Sequence, residues 1–233
     1  MDYRGRCVAI TGGTGVLGSA VVASLIEAGA VCHVPYRAAA EAEAWPLRGK
    51  PGVHLSALGD LADEAAVERF YAGLPGLWAS IHLAGGFAYA SLADADKKLL
   101  MAQLETNLVS AYNCCRAAAR VMAAGGAGGR IVNVAARPAL EGRSGARMAA
   151  YTASKAAVAA LTAALGEELA PAGILVNAVA PSVIDTPANR ASMPKADHAL
   201  WPKPAEIATT ILFLASPANR TTRGAVVPVY GRS

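Results

Sequence analysis

No apolar run in this 233-residue chain approaches the roughly 18 residues that a membrane-spanning helix needs, so no membrane partner is expected. Cysteine is scarce. The four thiols (Cys7, Cys32, Cys114, Cys115) sit in apolar surroundings without CxxC spacing, which argues against a metal site or disulfides and for buried thiols in a cytosolic protein. Charged residues reach only 16%, and the basic excess of +4 is scattered along the chain. There is no Lys/Arg block and no aromatic-studded basic strand, so nucleic acid is not an expected partner. The N-terminus passes straight into a strand-like Cys7–Ile10, which leaves no room for a signal peptide and points to a cytoplasmic location.

What is present is 54% hydrophobic residues, 23 glycines and a strict alternation of short β-rich and longer helical patterns. Strands are predicted at 7–10, 31–36, 53–56, 80–84, 130–135, 174–180 and 225–229, and helices near 17–28, 64–72, 96–124, 151–170 and 205–215. Several strands, such as Ile174–Val179, are almost continuously apolar, as parallel strands covered on both faces must be. The pattern predicts an α/β fold: one Rossmann-like, doubly wound parallel sheet with helices on both faces. No linker or repeat divides it. The stretch 123–129 reads as a helix end and turn. The segment 185–204, with four prolines, reads as an irregular lid over a small-molecule substrate.

The first strand runs into Thr11-Gly12-Gly13-Thr14-Gly15-Val16-Leu17-Gly18 and a helix. Glycines here permit a tight turn and let backbone N–H groups approach a pyrophosphate at the helix N-terminus. The second strand ends in Tyr36-Arg37, with no acid to hold a ribose diol and an Arg suited to a 2′-phosphate. NADP(H) is therefore the favoured cofactor, with NAD(H) the alternative. Asp60-Leu61 follows the third strand at the rim where adenine would lie; Asp60 either accepts from the adenine amino group or caps the next helix.

Tyr151-Thr152-Ala153-Ser154-Lys155 opens a long helical run. Tyr151 and Lys155, four apart, share a helix face. An ammonium beside a phenol favours the phenolate and so lowers its pKa, making the tyrosine a usable proton donor or acceptor.

Together these pieces resemble the short-chain dehydrogenase/reductase family over essentially the whole chain. The resemblance rests on the Gly turn, Asp60, Ala84-Gly85, Asn107, the Tyr151/Lys155 pair, Pro181 with Thr186, and the closing Val229-Tyr230-Gly231. It implies that Tyr151 protonates a carbonyl-like substrate and that Lys155 lowers its pKa and binds the nicotinamide ribose. It also implies that Asn107 kinks the long helix and anchors a water. Ala84, Gly85, Gly86, Pro181, Ser182, Ile184 and Thr186 would line the cofactor, with Thr186 and the backbone around Ser182 to Ile184 holding carboxamide and phosphates. Without a ligand, Asn107 is a helix-interior polar contact and Thr186 an N-cap. Homodimers or homotetramers through the long fourth and fifth helices are implied as well.

Three positions depart from the family pattern. The serine that most members carry just after the fifth strand is missing from Asn133-Val134-Ala135-Ala136-Arg137-Pro138. Gly15 stands one residue before the usual glycine, and His82 replaces the asparagine that opens the Ala84-Gly85 motif. The missing serine, Ala84-Gly85-Gly86-Phe87 and the segment 185–197 with Trp201 resemble the dihydropteridine reductase branch of the family. Losing an oxyanion donor costs on the order of a hundredfold in rate, so an easily reduced quinonoid or pterin-like substrate is expected. Phe87 is either a flat surface for such a ring or a core residue. An NADP(H)-binding sensor with little turnover is the alternative from another class.

Overall fold

In the computed structural model, which describes residues 1–233, a seven-stranded parallel sheet carries the molecule. The strands are β1 (Cys7–Thr11), β2 (Val31–Tyr36), β3 (Val53–Ala57), β4 (Leu77–His82), β5 (Gly129–Val134), β6 (Ile174–Pro181) and β7 (Val226–Val229). Their order is β3-β2-β1-β4-β5-β6-β7, with every neighbouring pair parallel. Period-2 alternation divides their side chains between two cores. Val8, Ile10, Val132 and Val179 enter one face, and Cys7, Ala9, Ile131 and Val176 the other. Burial on both sides explains why β6 reads as an almost continuous apolar run.

The helices are α1 (Val16–Glu27), α2 (Ala39–Glu43), α3 (Glu64–Ala72), α4 (Lys97–Gln103), α5 (Ser110–Gly125), α6 (Arg137–Leu140), α7 (Ala149–Glu168), α8 (Pro187–Ser192) and α9 (Pro204–Ala215). α1 packs on α9 over one face, and α3 packs on α5 over the other. Asp63 caps α3 and Asp96 caps α4, each accepting a backbone N–H three residues on. α5 ends at Gly126 in the left-handed conformation (φ 66°), which places the expected turn before β5.

Four assignments differ from the sequence expectation. The helix predicted over 96–124 is broken by a π-helical turn at Leu104–Val109. β4 spans 77–82 instead of 80–84, because its pairing with β1 closes at Thr11 and His82 and the chain leaves the sheet before Ala84. α2 and α6 are too short to show a helical period. The segment 185–204 is not irregular throughout. Thr186 caps α8 with Pro187 in its first turn, and Asp185 N–H donates to the Pro202 carbonyl at 3.0 Å, closing the segment's base.

Candidate active site

All seven strands are parallel, so their C-terminal ends share one edge, and the chain reverses its winding between β1 and β4. Such a switch point leaves a crevice where ligands bind. A cavity of about 350 Å³ lies there, lined among others by Gly12, Tyr36, Arg37, Asp60, Leu61, Ala84 and Gly85. The Gly turn is shaped for it. Gly12 is left-handed (φ 67°), and a Cβ on it would lie 2.6 Å from Ala84 N. A Cβ on Gly18 would collide with the Gly12 carbonyl, so α1 starts as close to the turn as backbone allows. Gly13 packs on Val34, while Val16 and Leu17 open α1 away from the cavity wall.

At the tip of β2 the structure corrects the sequence reading. An acid does reach this point, from α2. The Glu41 carboxylate accepts from the Thr14 hydroxyl and from the Arg37 backbone N–H (3.3 Å), and Glu41 lines the cavity with Arg37. A five-residue helix gave no periodic signal that would have carried Glu41 there. Asp60 does not cap α3, whose cap is Asp63. Instead it accepts from Ala62 N–H at 2.9 Å and faces the cavity, while Asn113 of α5 holds the Leu61 carbonyl at 3.0 Å.

Asn107 lies in the π turn and is buried. Its Oδ1 accepts from Gly86 N–H at 2.9 Å, and its Nδ2 donates to the Gly86 carbonyl (3.0 Å) and to Ser154 Oγ (3.0 Å). The amide thus clamps the chain leaving β4 to the second turn of α7, where Ser154 in turn donates to the Tyr151 carbonyl at 2.7 Å. A π bulge is a common way of aiming one helical side chain at a functional site. Gly85 completes the cluster: a Cβ there would sit 2.8 Å from Asn107 Oδ1 and 3.2 Å from Lys155 Nζ. Asn107, Gly85 and Lys155 therefore converge, and Ser154 joins them unannounced by the sequence.

Lys155 is buried, and its ammonium donates to the Val134 carbonyl at 2.8 Å. Burial pulls its pKa down to about 8. Tyr151 does not show the lowered pKa that the spacing predicts. Burial pushes the phenol up to about 12, because desolvation penalises the phenolate while the ammonium is directed at Val134. Tyr151 is therefore protonated across the neutral range. Phe87 is not core. Its ring stands edge-on to Tyr151, 5.0 Å between centroids, and is 62% exposed.

This arrangement can hold a dinucleotide at the switch point with a phenol and an ammonium at the reacting end. The family described as short chain dehydrogenase matches residues 6–197. The chain belongs to the short-chain dehydrogenases. It is 35% identical to galactitol 2-dehydrogenase of Rhizobium johnstonii, covering 97% of this chain and 93% of that protein. To bovine L-xylulose reductase it is 30% identical, covering 99% and 98%. The crystal structure of a short-chain oxidoreductase from Burkholderia thailandensis superposes with a TM-score of 0.87 at 28% identity, covering 97% of this chain and 91% of that one.

A short-chain dehydrogenase takes a nicotinamide dinucleotide, and the glycine cradle, the cavity and the Lys155 cluster fit one. The remaining expected residues lie on the same edge but outside the cavity wall. Pro181 ends β6, Ser182 Oγ donates to the Tyr230 carbonyl at 2.9 Å, the Ile184 carbonyl accepts from Asn189, and Thr186 caps α8. Beyond β5, where the family places its serine, Ala135 and Ala136 are buried and carry no hydroxyl.

His82 ends β4 in a buried polar chain. Tyr71 OH lies 2.7 Å from Ser80 Oγ, which lies 2.7 Å from His82 Nε2, and His82 Nδ1 lies 2.8 Å from Asn133 Oδ1. Asn133 Nδ2 donates to Thr162 on α7 at 3.0 Å. The network assigns Nδ1 as the protonated nitrogen, since Asn133 Oδ1 only accepts. Burial lowers the His82 pKa to about 4, so the ring is neutral.

Proposed function

We propose that this short-chain dehydrogenase transfers hydride between NADP(H) or NAD(H) and a carbonyl-, quinonoid- or pterin-like substrate, with Tyr151 as proton donor assisted by Lys155. The observation that carries the reading is the convergence of Asn107, Gly85 and Lys155 at the first turns of α7, beside Tyr151. Bound nicotinamide supplies the hydride. Tyr151, held protonated by burial, gives its proton to the substrate oxygen or nitrogen as charge develops there. Lys155 retains its proton at neutral pH, and its charge stabilises the tyrosinate left behind. Asn107 keeps the Gly85-Gly86 backbone and the α7 turn in register, which positions both side chains.

The absence of a hydroxyl at Ala135 and Ala136 favours substrates that need little oxyanion stabilisation, such as quinonoid or pterin-like rings. The names of the two relatives favour a second reading, a ketose or polyol substrate. Oxidation of NADPH and of NADH in the presence of a quinonoid dihydropterin, a quinone panel and a ketose panel tests both. Turnover confined to the conjugated compounds supports the first reading, and turnover confined to ketoses supports the second. Tight cofactor binding with no turnover on any of them would favour the sensor, a reading to which no feature of the site adds support.

Arg37 favours NADP(H), since its guanidinium makes no ion pair and is free to meet a 2′-phosphate. Glu41 opposes that phosphate and suits a ribose diol, so the preference is moderate and NAD(H) is accommodated. The segment 185–204 covers the substrate. Assembly as a homodimer or homotetramer uses α5 and α7, which expose Tyr112 and a run of alanines (Ala153, Ala160, Ala163, Ala164). No helix is long and apolar enough to cross a membrane.

A further inference from the structure

Beside Tyr151 the chain exposes two aromatic rings and one cation without a partner. Phe87 is 62% exposed and stands edge-on to Tyr151. Tyr89, two residues on, is 59% exposed, and the Arg147 guanidinium lies over its ring, 5.5 Å from the centroid. The two loops are tied by Ala90 N–H donating to the Arg147 carbonyl at 2.9 Å. Tyr151, Phe87, Tyr89 and Arg147 thus form a strip that runs from the reacting phenol to a positive charge.

Arg147 is held there under strain. It is the one non-glycine residue with positive φ (63°), a conformation that an ordinary L-residue rarely adopts. Such strain persists where the surrounding structure over-determines the backbone, and it clusters at functional sites. Arg137, between β5 and α7, is neutralised by Glu141, and Arg190 on α8 by Asp185. Arg147 enters no ion pair, and its side chain donates no hydrogen bond, leaving a planar fork of donors pre-aimed by the Tyr89 ring. α7 begins two residues later and adds the positive end of its dipole.

We infer that Arg147 is a specificity residue that reads an anionic group on the substrate, and that the strip selects planar conjugated carbonyl compounds carrying a carboxylate or phosphate. The inference rests on Tyr151 being the reacting side chain. It narrows the substrate class, since an open-chain polyol offers neither a flat face to Phe87 and Tyr89 nor a charge to Arg147.

Calorimetric titration of the NADP⁺-loaded protein with naphthalene-2-carboxylate and with naphthalene-2-carboxamide tests this without turnover. The carboxylate should bind roughly fivefold or more tighter than the amide, with the margin shrinking as salt rises. Arg147→Gly should abolish the margin, and Arg147→Lys should keep part of it. Glycine suits the backbone at φ 63°, so that variant removes the guanidinium while relieving strain. Equal binding of the two ligands, binding of neither, or an undiminished margin in Arg147→Gly overturns the inference. Oxidation of NADPH with 4-carboxybenzaldehyde, run alongside, separates the two layers. A carboxylate margin with no turnover of any carbonyl compound sinks the hydride-transfer reading alone, whereas turnover with no margin sinks the Arg147 assignment alone.

Discussion

Burial brings the loss of charge on Lys155 closer to neutral pH than for most lysines, and this gives the site a pH signature. Its folded pKa is lowered to about 8, so the ammonium proposed to assist Tyr151 is present below that value and lost as pH rises through it. The kcat/KM for substrate reduction is therefore expected to fall above about pH 8 although Tyr151, at about 12, is still protonated. A flat profile to pH 10 in steady-state assays would contradict this. At the adenosine end, Arg37→Ala should weaken NADPH roughly tenfold with little change in NADH, and Glu41→Gln should tighten NADPH by a few-fold. Cofactor titration by fluorescence reads both. At this scale the sequence was informative where structure is local: Gly12 and Arg37 line the crevice, and Tyr151 and Lys155 lie on the helix that their spacing predicts. It was blind to Glu41, which meets Thr14 only because α2 folds back, and it had the sign of the Tyr151 shift wrong because burial is not written in spacing.

The long helix between β4 and β5 shows what an element contributes. Its π turn at Leu104–Val109 rotates Asn107 toward Gly86 and Ser154, and an unbroken helix over 96–124 is what apolar periodicity alone predicts. Periodicity marks which residues face the core and says little about one extra residue in a turn. The sheet carries a second device, the polar chain from Tyr71 through Ser80, His82 and Asn133 to Thr162, which links α3 to α7 across β4 and β5. His82 binds a proton in the unfolded chain near its ordinary 6.5 but in the fold only near 4. The unfolded state thus holds more protons between those values, and stability is lost as pH falls through that window, by about 1.4 kcal/mol per unit from this group. Urea unfolding of the wild type and of His82→Asn at several pH values should show their stability difference changing across pH 6.5–4. A constant difference would mean that His82 is not the buried neutral ring described here.

Across the whole molecule, topology decides where chemistry sits. The strand order reverses between β1 and β4, so the Gly turn, the tip of β2 and the Ala84-Gly85 backbone meet at one crevice although they are far apart in sequence. Strand–helix alternation made this legible, since every predicted strand is present with ends shifted by a few residues. The short helices α2, α6 and α8 were not legible, because their positions follow from caps and tertiary contacts such as Thr186 on Asn189. Under the proposed function the crevice binds a nicotinamide cofactor and Tyr151 turns binding into reduction. Tyr151→Phe tests it most directly, with NADPH binding and NADPH-dependent turnover of the best substrate measured on the same preparation. Unchanged NADPH affinity with a turnover loss of roughly a hundredfold or more is expected; turnover within a few-fold of wild type would rule out Tyr151 as the proton donor.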